Sequence, residues 1–149
     1  MKKILVTGAG GYIGVPLCKT LLENGYKVIA FDRFYFGREK LKSILKDSNL
    51  EVIQKDIRYV DINIFKGVDS VIDLAGLSND ATAEIDPKLT IDINCKGAAN
   101  FAEAAQRSGV RRYIYSSSAS VYGAGVKESL CETDELAPQT AARLLWKKL

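Results

Sequence analysis

The stretch Thr7-Gly8-Ala9-Gly10-Gly11-Tyr12-Ile13-Gly14 decides the fold of this chain. It follows the apolar run Ile4-Leu5-Val6 and leads into Ile13, Leu17, Cys18 and Leu21, spaced to lie on one face of a helix. A turn of this kind needs glycine where the chain reverses tightly, where backbone must come close to a pyrophosphate, and where helix meets strand. Gly8, Gly11 and Gly14 occupy those places. A helix starting near Tyr12 then turns its unsatisfied N–H groups toward bound phosphate. The next apolar run, Val28 to Phe31, ends at Asp32, eighteen residues beyond Gly14. At that position a carboxylate accepts both ribose hydroxyls of NAD and repels the 2′-phosphate of NADP. The pattern predicts NAD as cofactor, preferred over NADP. Arg33 and Arg38 stand close enough in sequence to pair with a 2′-phosphate and act against that preference. Taken alone, Asp32 reads equally well as a turn aspartate closing a strand.

Outward from this unit, Val71 to Leu74 and Tyr113 to Tyr115 read as further buried strands, and Val52-Ile53 as a shorter one. A long helix is expected from Asp86-Pro87, with Asp86 as N-cap and Pro87 in the first turn. It runs through Leu89, Ile93, Gly97 and Phe101 toward Ser108-Gly109. Strands that are apolar throughout and alternate with helices predict an α/β fold, a Rossmann-type doubly wound parallel sheet covered on both faces. No linker, repeat or low-complexity tract interrupts residues 1–149, which read as one NAD(P)-binding domain.

Composition narrows the function classes. The 149 residues are 47% apolar and 26% charged, as in ordinary globular domains, and 21 basic against 18 acidic residues leave a net charge of only +3. The basic pairs Lys2-Lys3, Arg111-Arg112 and Lys147-Lys148 are dispersed, so nothing points to nucleic acid. Ile4 to Val6 is too short for a secretory or membrane segment, which makes the expected location cytoplasmic and the expected partners free of membrane. Cys18, Cys95 and Cys131 lack metal-site spacing, and the chain contains no histidine. A Ser-His-Asp triad and a His-ligated metal are therefore excluded, and no metal is expected.

These segments resemble the extended short-chain dehydrogenase/reductases, specifically the NAD-dependent epimerase/dehydratases of nucleotide sugars, and are similar to the UDP-glucose 4-epimerases among them. The resemblance rests on Thr7 to Gly14, on Asp32, on Asp56-Ile57, and on Leu74-Ala75-Gly76-Leu77. Asn94 to Gly97 and the passage Tyr113 to Gly123 complete it, so that it extends from Met1 to about Pro138. It implies that Tyr12 and Ile13 line the pyrophosphate, that Asp56 and Ile57 flank adenine, and that Leu74, Ala75 and Gly76 pass over the cofactor phosphate and ribose. It implies further that Asn94 steadies that loop, that Ser116 belongs to the active-site passage, and that Ser118 is the catalytic serine. Each has a plainer alternative: a capping aspartate, a satisfied core amide, an ordinary strand end, a turn serine. Asp73 departs from the family, which usually carries histidine there, and a local change of hydrogen bonding is expected.

The family's chemistry uses a Tyr-x-x-x-Lys pair, the tyrosinate taking a proton from a sugar hydroxyl while hydride passes to the nicotinamide. Lowering a tyrosine from about 10 to near 7 takes roughly 4 kcal/mol from neighbouring positive charge. No tyrosine of this chain has lysine four residues on. Where the pair is expected, the chain reads Gln139-Thr140-Ala141-Ala142-Arg143-Leu144-Leu145-Trp146. Either Ala142 replaces the tyrosine, or the tyrosine is deleted between Ala141 and Ala142. The sequence thus reads as the cofactor half of a nucleotide-sugar epimerase or dehydratase, without a substrate lobe and inactive alone. A non-catalytic dinucleotide-binding regulatory module and an NADP-dependent reductase of the same fold stand as alternatives. Absence of the later strand and helices would leave an apolar sheet edge uncovered, which makes homodimerisation an expectation.

Overall fold

Five strands pair in parallel in the order β3-β2-β1-β4-β5 in the computed structural model, which describes residues 1–78, 85–123 and 129–137. They are β1 (Lys3–Thr7), β2 (Lys27–Asp32), β3 (Leu50–Gln54), β4 (Ser70–Asp73) and β5 (Arg112–Tyr115). The sheet grows outward from β1 in both directions, so the strand order reverses between β1 and β4 and opens a crevice at their C-terminal ends. This is the doubly wound sheet that the apolar runs predict.

Successive side chains of a strand point to opposite faces, and these strands are apolar on both. Ile4, Val6, Val28 and Ala30 pack on one side with Cys18 and Leu22 of α1 (Gly14–Glu23). Burial in that layer pushes the Cys18 thiol up to about 12, which leaves it a small, inert core group. Leu5, Ile29, Phe31 and Val71 pack on the other side. There Phe101 is fully buried, with its ring edge-on to Phe31 and Phe65 at centroid distances of 5.3 and 5.0 Å.

Phe101 comes from a long helical segment that is not uniform. It starts as α2 (Pro87–Ile91), with the Asp86 carboxylate capping the Leu89 N–H at 2.9 Å and Pro87 in the first turn. It widens to a π-helical turn over Asp92–Gly97 and resumes as α3 (Ala98–Arg107). Short 3₁₀ turns lie at Glu39–Leu41, Ile62–Phe65 and Ala119–Tyr122. Among the described residues, no helix is long and apolar enough to cross a membrane.

Candidate functional site

The glycine loop leaves β1 at the strand-order reversal and turns at once. Gly8 has φ +65°, and a Cβ there would stand 2.7 Å from the Leu74 carbonyl oxygen, so a side chain is excluded both by conformation and by the neighbouring strand end. At Gly14 a Cβ would fall 2.2 Å from the Gly8 carbonyl oxygen, which is what lets α1 begin directly on the turn. The chain spends residues 11–13 on that turn and α1 runs from Gly14, two residues past Tyr12, near which the sequence places its start; the Val15 N–H already bonds back to the Gly11 carbonyl at 3.2 Å. Ile13 sits at the N-cap and supplies no side-chain hydrogen bond, and the first turn holds no acidic residue. The first turn of the helix therefore sets no anionic side chain of its own against its positive end. Tyr12 and Ile13 stand at the mouth of the loop, 94% and 60% exposed.

One cleft gathers most of the residues singled out by sequence. Gly8 and Gly11 form its floor, and Leu74, Ala75 and Gly76 form one wall. The opposite wall carries Asp32, Arg33, Asp56 and Ile57. Asp32 is held from both sides: Gly10 N–H donates to Oδ2 at 3.0 Å and Phe34 N–H donates to Oδ1. Each carboxylate oxygen keeps lone-pair capacity beyond that single bond, as two ribose hydroxyls require. Phe34 is non-glycine at φ 56°, with its buried ring against Gly10, where a Cβ would meet it at 2.8 Å. The strained residue thus lies two positions beyond the acidic strand end it fixes.

Asp56 accepts four hydrogen bonds: Arg58 N–H and Nε at 3.0 Å each, Arg58 Nη2 at 2.7 Å, and Arg33 Nη1 at 2.9 Å. The Arg58 hydrogen bonds, with the Arg33 charge, hold its carboxyl below the usual carboxylate range. Arg38 lies on the Gln54 side chain, with Nη2 donating to Oε1 at 2.5 Å.

A buried network supports the β4 wall. The Thr7 hydroxyl accepts from the N–H groups of Leu74 and Ala75, both at 3.1 Å, and donates to Asp73. Asp73, 1% exposed, also accepts from the Tyr113 hydroxyl at 2.6 Å and from Ala75 N–H at 3.2 Å. Burial raises its carboxyl above the ordinary range, and burial with the adjacent Asp73 raises the Tyr113 hydroxyl well above its own. This carboxyl ties β1, β4 and β5 together beneath the loop. Asn94, 2% exposed on the π-helical turn, lies behind the cleft and bonds to the backbone of Leu77 at its rim.

Ser116 and Ser118 are not brought into this cleft. They follow β5, with Ser116 N–H extending the sheet by one bond to the Asp73 carbonyl at 3.0 Å. The stretch 139–146, where Tyr-x-x-x-Lys is expected, lies outside the described residues. Sequence reading missed Arg58, Gln54 and the aromatic run Phe34-Tyr35-Phe36, all in or beside the cleft. The available signal was the aromatic run itself, which follows the acidic strand end at Asp32 outside any helical or strand pattern; Tyr35 and Phe36 are 56% and 78% exposed. Among the described residues, no cluster of His, Cys, Asp and Glu could hold a metal ion.

Residues 4–141 match the model of the NAD-dependent epimerase/dehydratase family. The chain belongs to that family. It is 37% identical over 130 residues to a UDP-glucose 4-epimerase of Neisseria meningitidis serogroup C, an alignment that takes in 83% of this chain and 38% of that protein. It is 33% identical over 142 residues to a 3-beta-hydroxysteroid dehydrogenase of Mycolicibacterium neoaurum, covering 93% and 37%. The structure of a UDP-glucuronic acid 4-epimerase from Bacillus cereus in complex with UDP-glucuronic acid and NAD superposes with a TM-score of 0.90 at 27% identity, covering 97% of this chain and 49% of that one. The chain thus spans half or less of the length of each of these relatives.

Proposed function

We propose that this chain is the NAD-binding part of a nucleotide-sugar epimerase or dehydratase, whose parent reaction oxidises a sugar carbon transiently and returns the hydride. The observation that carries the reading is the single cleft at the strand-order reversal, where the glycine loop, Asp32, Asp56-Ile57 and Leu74 to Gly76 converge. The residues present fit a dinucleotide. The floor is glycine where a Cβ would strike backbone, the helix end above it lacks an acidic residue, and Asp32 retains acceptor capacity at the side. In this reading Gly8, Gly11, Tyr12, Ile13 and Gly14 serve the pyrophosphate, and Asp32 the ribose. Asp56 and Ile57 serve adenine, Leu74 to Gly76 cover the cofactor, and Ser116 and Ser118 belong to the sugar side.

The bound nicotinamide supplies hydride acceptance; proton removal needs a base that no Tyr-x-x-x-Lys pair of this chain provides. Loss of a general base costs about a hundredfold to ten-thousandfold in rate. We therefore expect cofactor binding without sugar turnover. Quenching or enhancement of NADH fluorescence on titration, reversed by NAD, tests the binding, and an assay with UDP-glucose tests the inactivity. Turnover above a buffer blank overturns the second claim while leaving the first intact. A cytoplasmic location goes with this reading, since Cys18, Cys95 and Cys131 are all free thiols. So does self-association through the edge strand β5, where Ile114 is 46% exposed; a monomeric mass by light scattering contradicts it.

A further inference from the structure

A cation beside the ribose-binding carboxylate is the usual means of accepting a 2′-phosphate, because a guanidinium pairs with phosphate through parallel hydrogen bonds. This chain has two such cations, Arg33 next to Asp32 and Arg38 five residues on. Both are held on the end of β3. Arg33 donates to Asp56 at 2.9 Å, and its guanidinium carbon lies 4.5 Å from the centroid of the Tyr35 ring. Arg38 donates to Gln54 at 2.5 Å and lies 5.3 Å from the centroid of the Phe34 ring. Gln54 in turn donates from Nε2 to the Arg33 carbonyl at 3.1 Å, which links the two attachments. Asp56 is well suited to this role. Its side chain is only 13% exposed, and Arg58 grips both of its oxygens from the other side, fixing the carboxylate where Arg33 reaches it.

We propose that Asp56, with Gln54 beside it, is a positioning residue for cofactor choice: it withdraws Arg33 from the place a 2′-phosphate would occupy, so that NAD is selected by an ion pair across the β2 and β3 strand ends as well as by Asp32. The proposal rests on the NAD reading given above. It assigns the discrimination to a contact between residues 23 positions apart and gives Asp56 a task separate from any contact with adenine. The two tasks separate experimentally. A lost adenine contact weakens NAD and NADP equally, because both carry the same adenine, whereas release of Arg33 changes only their ratio.

The test is calorimetric titration of the 149-residue chain with NAD and with NADP, in parallel for the wild type, Asp56→Asn, Arg33→Gln and the double variant. Asparagine keeps the side-chain acceptor of the turn to Arg58 N–H and removes the charge that holds Arg33. The ratio Kd(NADP)/Kd(NAD) is expected to fall by about tenfold in Asp56→Asn, the worth of one charge-assisted contact to phosphate, and to return toward the wild-type value when Arg33→Gln is added. A ratio within about twofold of wild type in Asp56→Asn overturns the proposal, as does a lowered ratio that Arg33→Gln leaves unchanged. Arg33 is an exposed side chain, so Arg33→Gln alone gives a reading even if the Asp56 variant fails to fold. It is expected to leave the ratio within about twofold, and a rise of about tenfold shows that Arg33 already meets the 2′-phosphate and contradicts the proposal. A wild-type chain that binds neither nucleotide overturns the NAD reading itself, and this proposal with it. NAD binding with an unchanged ratio in Asp56→Asn overturns this proposal alone.

Discussion

Asn94 pairs with the backbone of Leu77 through both ends of its amide: Leu77 N–H donates to Oδ1 at 2.8 Å, and Nδ2 donates to the Leu77 carbonyl at 2.9 Å. The π-helical turn that carries Asn94 belongs to the helix, whereas Leu77 belongs to the segment Leu74 to Leu77 that lines the cleft. The pair thus fixes the cleft wall to the core behind it. Asn94→Ala leaves both backbone groups of Leu77 without this partner and opens space beside a buried turn. We predict a loss of about 1–3 kcal/mol in thermal or urea unfolding, together with weaker NADH binding. Asn94→Asp keeps the acceptor but sets an oxygen against the Leu77 carbonyl, so it is expected to shift both measurements in the same direction.

The glycine loop makes a prediction graded against Gly25, which lies outside it in the turn between α1 and β2. Gly25 has φ +77° with nothing within 4 Å of the place a methyl group would take, so Gly25→Ala meets backbone strain only and is expected to cost about 1–2 kcal/mol. Gly14→Ala drives Cβ into the Gly8 carbonyl at 2.2 Å, and Gly8→Ala combines φ +65° with a 2.7 Å approach to Leu74. Both should destabilise more than Gly25→Ala and abolish detectable NADH binding, which melting curves and the fluorescence titration will show.

Asp73 predicts a pH dependence of known sign. Its carboxyl is raised above its ordinary value of 3.8, so between that value and the folded-state pKa the folded chain binds the proton more tightly than the unfolded chain. Stability contributed there is present below 3.8 and is lost as pH rises through the folded pKa. Asp56 acts in the opposite sense: lowered from 3.8, it contributes stability above that value and loses it as pH falls further. Asp73→Asn removes the first effect only. The stability of the variant relative to wild type should therefore increase as pH rises from about 4 and level off above the folded pKa, in urea melts across about pH 4 to 8. A difference constant over that range contradicts the assignment.

The parts of the fold legible in sequence were those set by local pattern. Apolar runs marked the strands, Asp86-Pro87 marked a helix start, and the glycine spacing marked the turn, because each depends on neighbours a few residues apart. What escaped depends on distant partners. Nothing in Asp92 to Gly97 signals that the helix widens there, since the π turn accompanies the pairing of Asn94 with Leu77, seventeen residues earlier. The Tyr113 hydroxyl meets Asp73 across 40 residues, and Arg33 meets Asp56 across 23. These contacts follow from strand order, which brings β4 beside β5 and β2 beside β3. At the site, sequence thus singled out Asp56 and Arg33 individually as candidate cofactor residues, whereas the fold shows them as one ion pair.

Everything proposed for this chain depends on NAD binding in the cleft beside the glycine loop, and amide chemical-shift mapping of the isotopically labelled chain during titration with NAD reads that out residue by residue. The amides of Gly8, Gly11, Gly14, Asp32 and Gly76 are expected to shift together and saturably with one dissociation constant, while those at the far ends of the strands stay in place. Saturating NAD that moves none of these amides, or shifts that gather at the opposite end of the sheet, would contradict binding at this cleft.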